Sequence, residues 1–288
     1  MNSTPAPTAP QQALQEAVAL HRAGKHDLAM QRYVAILQQN PNDIDALYYV
    51  AVLVLQEGQV AEGLKVIQRA LDVGPPQARF YNLKGQAHLR QHEDSDALQS
   101  FGRAIETDPA YADAFGNRGT LLSEMGRAAE ALADFDRALE LRPNDAQDHC
   151  NRACALADLG SLGEAVQGFN RAIELMPGLA PAYYNRADAL LRLGWPAEAL
   201  ADYDRAIHLF PDLAATHVGR GMALKALDRL DDALASLDEA IKRDAKFAPA
   251  HAGRGQVLDA MGRGDEAMES RARAAALDPK YAAPARMN

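Results

Sequence analysis

Residues 112–145 read ADAFGNRGTLLSEMGRAAEALADFDRALELRPND. In the second half, Ala131, Leu132, Phe135, Ala138 and Leu139 fall at helical spacing, so a helix with one apolar face runs up to Pro143. Proline lacks the amide proton an interior helical residue must donate, so it stops this helix or starts the next. In the first half, Gly126 stands where a preceding helix should end in the left-handed conformation that glycine adopts cheaply. The stretch reads as a helix, a tight turn and an antiparallel helix.

Working outward, the same pattern returns without a slip in register. Pro41, Pro75, Pro109, Pro143, Pro177 and Pro211 stand 34 residues apart, Ala245 takes the next place and Pro279 resumes the series. Small residues keep that step at Ala17, Ala51, Gly85, Gly119, Ala153, Ala187, Gly221 and Gly255. They do so again at Ala29, Gly63, Ala97, Ala131, Ala165, Ala199, Ala233 and Ala267. Two helices approach closely only where neither carries a bulky substituent at the crossing, so these positions mark helix contacts. The turn glycine recurs at Gly24, Gly58, Gly160, Gly194 and Gly262, but His92 and Asp228 replace it in two repeats, whose turns should be less ideal.

Phe115, Gly119, Leu122, Ala131, Phe135, Ala138 and Pro143 resemble the tetratricopeptide repeat (TPR) almost position for position. The resemblance implies an all-α, right-handed α-solenoid of about eight helix-turn-helix repeats. These span 10–43, 44–77, 78–111, 112–145, 146–179, 180–213, 214–247 and 248–281. Residues 1–9 are expected to be a disordered, Pro-rich tail, and 282–288 a C-terminal tail. Each hairpin of a solenoid contacts only its neighbours, so the chain should offer a long concave face and leave no residues for a catalytic domain. The chain is not expected to be an enzyme.

Composition points the same way. Hydrophobic residues make up 48% and charged residues 24% of 288 residues, while aromatics are only 6%. That composition suits a soluble chain of closely packed helices. With 30 Lys+Arg against 39 Asp+Glu the net charge is −9, a field that repels phosphate backbones and anionic lipid. Nucleic acid is therefore not an expected partner. The N-terminal MNSTPAPTAP has neither a basic nor an apolar segment of a secretory signal, and no window approaches a membrane span, so a cytoplasmic protein without membrane insertion is expected. No Gly-rich phosphate loop, nucleophile elbow or metalloprotease helix is present, and no cofactor is implied.

Carried over from the family, the second, fifth, sixth, ninth, twelfth and thirteenth residues of each first helix line the concave groove. In the first three repeats these are Leu14, Val18, Tyr48, Tyr49, Val52, Leu55, Leu83 and Leu89, with Arg22, Arg79 and Arg90 among them, an apolar and mildly basic stretch. The next three place asparagine at the sixth position: Asn117, Asn151 and Asn185. A primary amide offers donors and an acceptor, so a row of them can pair with the backbone of an extended peptide. The row is similar to the asparagine ladder of O-linked N-acetylglucosamine transferases, but Leu83, Gly219 and Gly253 limit it to three rungs. Asp113, Glu124, Asp158, Asp188 and Asp259 outnumber Arg192 and Lys225 in this half, which favours a basic or neutral peptide.

Other constellations have structural readings. Cys150 and Cys154 lie one helical turn apart and read as small packing residues, since tetrahedral zinc needs four ligands and no metal site is expected. His149, His217 and His251 fill the aromatic slot that Tyr81, Phe115 and Tyr183 hold in other repeats. The basic series Lys84, Arg118, Arg152, Arg186, Arg220 and Arg254 replaces an expected leucine. Asp136, Asp204 and Asp238 stand sixteen residues before Arg152, Arg220 and Arg254, so ion pairs that set the register between repeats are expected. Trp195, in an inter-helix turn, is expected to pack on its own repeat.

The functional expectation is a non-catalytic scaffold or adaptor that binds a peptide or protein segment. Asn117, Asn151 and Asn185 would grip its backbone, and Tyr48, Tyr49, Val52, Arg79, Arg90, Asp188 and Arg192 would contact its side chains. The alternatives are a substrate-recruiting module of an O-linked glycosyltransferase system, and a self-assembling element joined through its apolar first repeats. The initial Met and the polar last helix, with Arg271 and Arg273, favour a complete small protein over a fragment.

Overall fold

A computed structural model describes residues 8–282, which fall into two compact units divided between Arg142 and Pro143. Residues 1–7 and 283–288, the bulk of the two expected tails, lie outside the described residues. The first unit holds four helical hairpins: α1 (Ala9–Arg22) with α2 (His26–Gln39), α3 (Ile44–Gln56) with α4 (Val60–Val73), α5 (Ala78–Leu89) with α6 (Asp94–Thr107), and α7 (Ala112–Glu124) with α8 (Ala128–Leu141). The second holds α9 (Ala146–Asp158) with α10 (Leu162–Leu175), α11 (Ala180–Arg192) with α12 (Pro196–Leu209), α13 (Ala214–Ala226) with α14 (Leu230–Arg243), and α15 (Ala248–Ala260) with α16 (Gly264–Leu277). Within each unit, every helix packs on the next in sequence. The eight hairpins are those of an α-solenoid, with no strand among the described residues. Among those residues, no helix is long and apolar enough to cross a membrane.

The repeated small residues sit where helices touch. A Cβ on Gly85 would stand 2.5 Å from the Phe101 ring, and one on Gly119 would stand 2.9 Å from the Phe135 ring. Both rings are fully buried, and each such burial contributes roughly 1.5–3 kcal/mol. The turn glycines adopt positive φ, as at Gly126 with 74°, and His92 and Asp228 are forced into the same region at 59° and 58°. The prolines do less than expected. α2 ends at Gln39, Pro41 lies in the turn, and α3 starts at Ile44 under a cap from Asp43, whose carboxylate accepts from the Ala46 amide at 2.9 Å. α1 begins at Ala9 behind a capping box from Thr8 and Gln11.

The basic series is tied into the packing. Arg220 and Arg254 meet Asp204 at 2.6 Å and Asp238 at 2.7 Å, each sixteen residues earlier. Arg118 and Arg186 reverse the direction. They form two-pronged bonds to Asp134 and Asp202, sixteen residues later in their own hairpins. Each guanidinium sits between the second helix of its own hairpin and that of the hairpin before. The prong not given to a carboxylate reaches Asn170 from Arg186, Ser236 from Arg220 and Ser270 from Arg254. Each of these four arginines therefore receives one carboxylate. The pairs within a hairpin are the buried ones: the Asp134 and Asp202 side chains are 7% and 10% exposed, against 53% and 51% for Asp204 and Asp238.

Candidate functional site

In the first unit, the residues expected to receive a partner are held from behind by aromatic contacts. The Arg79 guanidinium lies 4.8 Å from the centre of the Tyr48 ring and 5.4 Å from that of Phe80 while bonding Asp45 at 2.5 Å, and the two rings meet edge-on at 5.6 Å. Tyr49 stacks on Tyr33 with ring centres 5.4 Å apart and planes within 6°. Burial pushes the Tyr33 hydroxyl up to about 12. Val52 packs on the core around Leu47 and Phe80, and Arg90 donates to the Leu55 carbonyl near the end of α3. Beside Tyr49 lies an open cleft of about 780 Å³, lined by Leu14, Val18, Arg22 and Asp45.

Two residues assigned to this face belong to the core instead. Leu55 is 2% and Leu83 7% exposed. Leu55 turns into space that Gly63 leaves open, since a Cβ there would stand 2.5 Å from Leu55 Cδ2. The asparagine row also has a member that the 34-residue step does not show. Asn117 donates through Nδ2 to Oδ1 of Asn82 at 2.9 Å, and Asn82 is 5% exposed. Among the described residues, the Asn117 carbonyl oxygen and the Asn82 amide nitrogen take no other partner.

The second unit is organised by polar contacts. Asn151 accepts from Gln147 at 2.8 Å, and Asn185 donates to the sulfur of Cys154 at 3.3 Å. Cys150 is buried and Cys154 half-buried. Their mutual hydrogen bond, then burial, pushes the Cys154 thiol up, so it stays protonated. Next along α11, the Asp188 carboxylate accepts from the Tyr203 hydroxyl and also from Tyr184. Burial outweighs these bonds and Arg192, and raises Asp188 above the usual carboxylate range. Arg192 itself donates to the Ala157 carbonyl at 3.3 Å. Gly219 is what admits Tyr203, because a Cβ there would meet the Tyr203 ring at 2.4 Å. The row therefore ends at Asn185 for a steric reason: the next sixth position is filled by a tyrosine from the preceding helix.

The three histidines are structural. His149, His217 and His251 donate through Nε2 to the carbonyls of Pro143, Pro211 and Ala245, six residues earlier, at 2.9, 3.0 and 3.0 Å. Tyr183 bonds Pro177 in the same way at 3.3 Å. A carbonyl can only accept, so the contact fixes the tautomer of each ring. In the first unit, His88, Glu93 and Asp96 bring three ligand atoms within 4.8 Å of one another, but the 2.6 Å bond between His88 and Glu93 accounts for that arrangement. Trp195 stands 50% exposed, against the expectation that it packs on its repeat.

Asn82, Tyr184 and Tyr203 are the site residues that repeat arithmetic overlooks. Tyr203 had a visible signal, since the same slot holds Phe101, Phe135 and Phe169 in earlier repeats and the residue sixteen places on is a glycine. Asn82 stands at the fifth position, also a groove position, but outside the sixth-position row of asparagines that the 34-residue step shows.

Family profiles described as tetratricopeptide repeat match residues 20–87, 112–145, 180–213 and 218–282, together well over half the chain. The chain belongs to the tetratricopeptide-repeat family. No curated protein matches it. Among solved structures, it is similar to the TPR-containing APC/C hetero-tetramer Cut9-Hcn1, with a TM-score of 0.69 and 16% identity over 94% of this chain and 54% of that one. It spans only about half of that longer chain, and the likeness shows the fold alone. YrrB, a TPR protein with an unusual peptide-binding site, gives a TM-score of 0.51 and 25% identity over 63% of this chain and 94% of its own. PilF of Pseudomonas aeruginosa gives 0.61 and 18% identity over 70% and 92%. TPR repeats make protein-interaction modules, and all sixteen described helices of this chain belong to them.

Proposed function

We propose that this TPR protein is a non-catalytic adaptor whose first-helix face holds an extended protein segment by its backbone. The observation that carries the reading is the Asn117–Asn82 pair. Each amide is fixed by the other, and between them they still present one acceptor and one donor, the complement of a peptide group. Asn185, fixed by Cys154, repeats the arrangement in the second unit. Fixing a side chain beforehand lowers the entropy lost on binding. The likeness to YrrB, which has a peptide-binding site, supports the same class of partner.

The test is selection of the full chain against a random nine-residue peptide display library, followed by affinity measurement. Asn151→Ala combined with Asn185→Ala should weaken the selected peptides about tenfold, or about 1.4 kcal/mol, while the melting temperature stays near wild type. Unchanged affinity would remove Asn151 and Asn185 from the mechanism, and failure to select any peptide would remove the adaptor reading itself. Asn117→Ala is a poorer probe. It strands the buried Asn82 amide, a loss of about 1–3 kcal/mol in folding.

A further inference from the structure

Two buried carboxylates of this protein are neutralised by arginine. Asp134 and Asp202 each lie against a guanidinium, Arg118 and Arg186, in two-pronged bonds of 2.6–2.7 Å. Asp188 differs from them. It is half-buried, yet its hydrogen-bond donors are two neutral tyrosine hydroxyls, Tyr203 and Tyr184. The arginine one turn along its own helix is occupied with the Ala157 carbonyl. Asp158 and Asp188 both act on nearby Cys154, so the charges around the thiol carry a net negative sign that Arg192 only partly offsets.

A second feature adjoins it. Tyr184, whose hydroxyl holds Asp188, also forms one wall of an apolar pocket of about 470 Å³, lined with it by Leu179, Pro181, Leu209, Phe210 and Leu213. Phe210 is 55% exposed and Leu213 42%, although each is a large apolar side chain. A charged group and an apolar hollow therefore share one tyrosine ring.

We propose that Asp188, with Tyr184 and Tyr203, is a subsite for one basic side chain of the bound segment, and that the adjoining pocket takes an apolar side chain beside it. The subsite rests on the backbone-binding reading above and adds sequence preference to it. An ammonium or guanidinium group would complete the counter-charge that Arg192 supplies only in part. It would also find acceptors in the two tyrosine oxygens and a π face in Tyr184. The aliphatic stem of lysine or arginine can lie along apolar surface while its head reaches the carboxylate. An acidic partner side chain would face Asp158 and Asp188 and be rejected.

The same nine-residue library tests this on the full chain. Peptides selected by the wild type should carry Lys or Arg at one position next to an apolar residue. Replacing that basic residue by norleucine should weaken binding at least tenfold. Asp188→Asn should abolish the difference between the two peptides while retaining affinity for the norleucine form. Should that variant fold poorly, the wild type supplies a second reading. The groups facing Asp188 are Tyr184, Tyr203, Arg192, Asp202 (already paired with Arg186), Asp158 and Cys154, and Asp188 is the carboxylate among them held above its usual range. The preference for lysine over norleucine should therefore be full at neutral pH and fade as pH falls through that raised value. Selected peptides without a basic residue, or equal binding of lysine and norleucine forms at neutral pH, would overturn the subsite and leave the backbone reading standing. Absence of any selected peptide would overturn both.

Discussion

Leu14, Val18, Tyr33 and Tyr49 occupy the same repeat positions in the first unit as Tyr184, Asp188, Tyr203 and Gly219 in the second, five repeats on. Both sets include a buried tyrosine in the slot that Ile67, Phe101, Phe135 and Phe169 fill in the repeats between. In the first unit the next sixth position is Tyr49, which stacks flat on Tyr33, and the Tyr33 hydroxyl finds only His21 at 3.5 Å. In the second unit that position is Gly219, which stacks no ring on the buried Tyr203, and the hydroxyl goes to Asp188. The helices that carry the two tyrosines are the same length, 14 residues each. Two of these positions separate the sites: Gly219 stands where Tyr49 does, and Asp188 stands where Val18 does.

The frame beneath that contrast should be insensitive to it, which gives the largest expected effects. Arg118→Met in the first unit and Arg186→Met in the second should each cost about 3–5 kcal/mol, because each leaves a buried carboxylate without its partner. Arg220→Met and Arg254→Met, whose aspartates face solvent, should cost about 1 kcal/mol or less. Urea unfolding of the four variants checks the order. Equal losses in all four would show that burial of the aspartate is not what matters.

Next comes the glycine that separates the two sites. Gly219→Ala places a methyl group 2.4 Å from the Tyr203 ring and should cost about 1–3 kcal/mol by thermal denaturation, with Tyr203 displaced from Asp188. A neutral result would mean that the ring moves without loss and that Gly219 is not required.

The hydroxyls themselves should differ. Tyr203→Phe removes a donor from half-buried Asp188 and is expected to cost about 1–2 kcal/mol, whereas Tyr33→Phe should stay within about 0.5 kcal/mol. Equal costs would erase the distinction between the two sites. Smallest of all, His92→Gly and Asp228→Gly should each stabilise the chain by about 0.5–1 kcal/mol, one in each unit, since both residues sit at positive φ. A loss in His92→Gly alone would point to the His88–Glu93 contact in the same turn.

The repeat was legible because it follows from the simplest constraints. A helix needs an apolar face, a tight turn needs a residue that tolerates positive φ, and crossing helices need small residues. The pairs of Arg220 and Arg254 were legible for a related reason, since a carboxylate at a fixed step before each arginine is visible in one dimension. Those of Arg118 and Arg186 were missed, because no carboxylate stands sixteen residues before either arginine and the partner lies on the later helix of the same hairpin. The face was harder. Leu55 was assigned to it by position, but Gly63, eight residues on, makes room for it in the core. Asn82 escaped because its bond to Asn117 joins the fifth position of one first helix to the sixth of the next. Such contacts depend on how neighbouring side chains fill one another's space, which periodicity does not encode.

Repeat proteins are commonly treated as strings of interchangeable modules that can be lengthened or shortened by whole copies. The allocation of one carboxylate to each of the four arginines argues otherwise here. Excising residues 180–213 would leave Arg220 between Asn170 and Ser236, with a carboxylate on neither side. Arg220 and Arg254 thus carry half of an address that only the preceding copy completes, so part of the order of the copies is written into their charges.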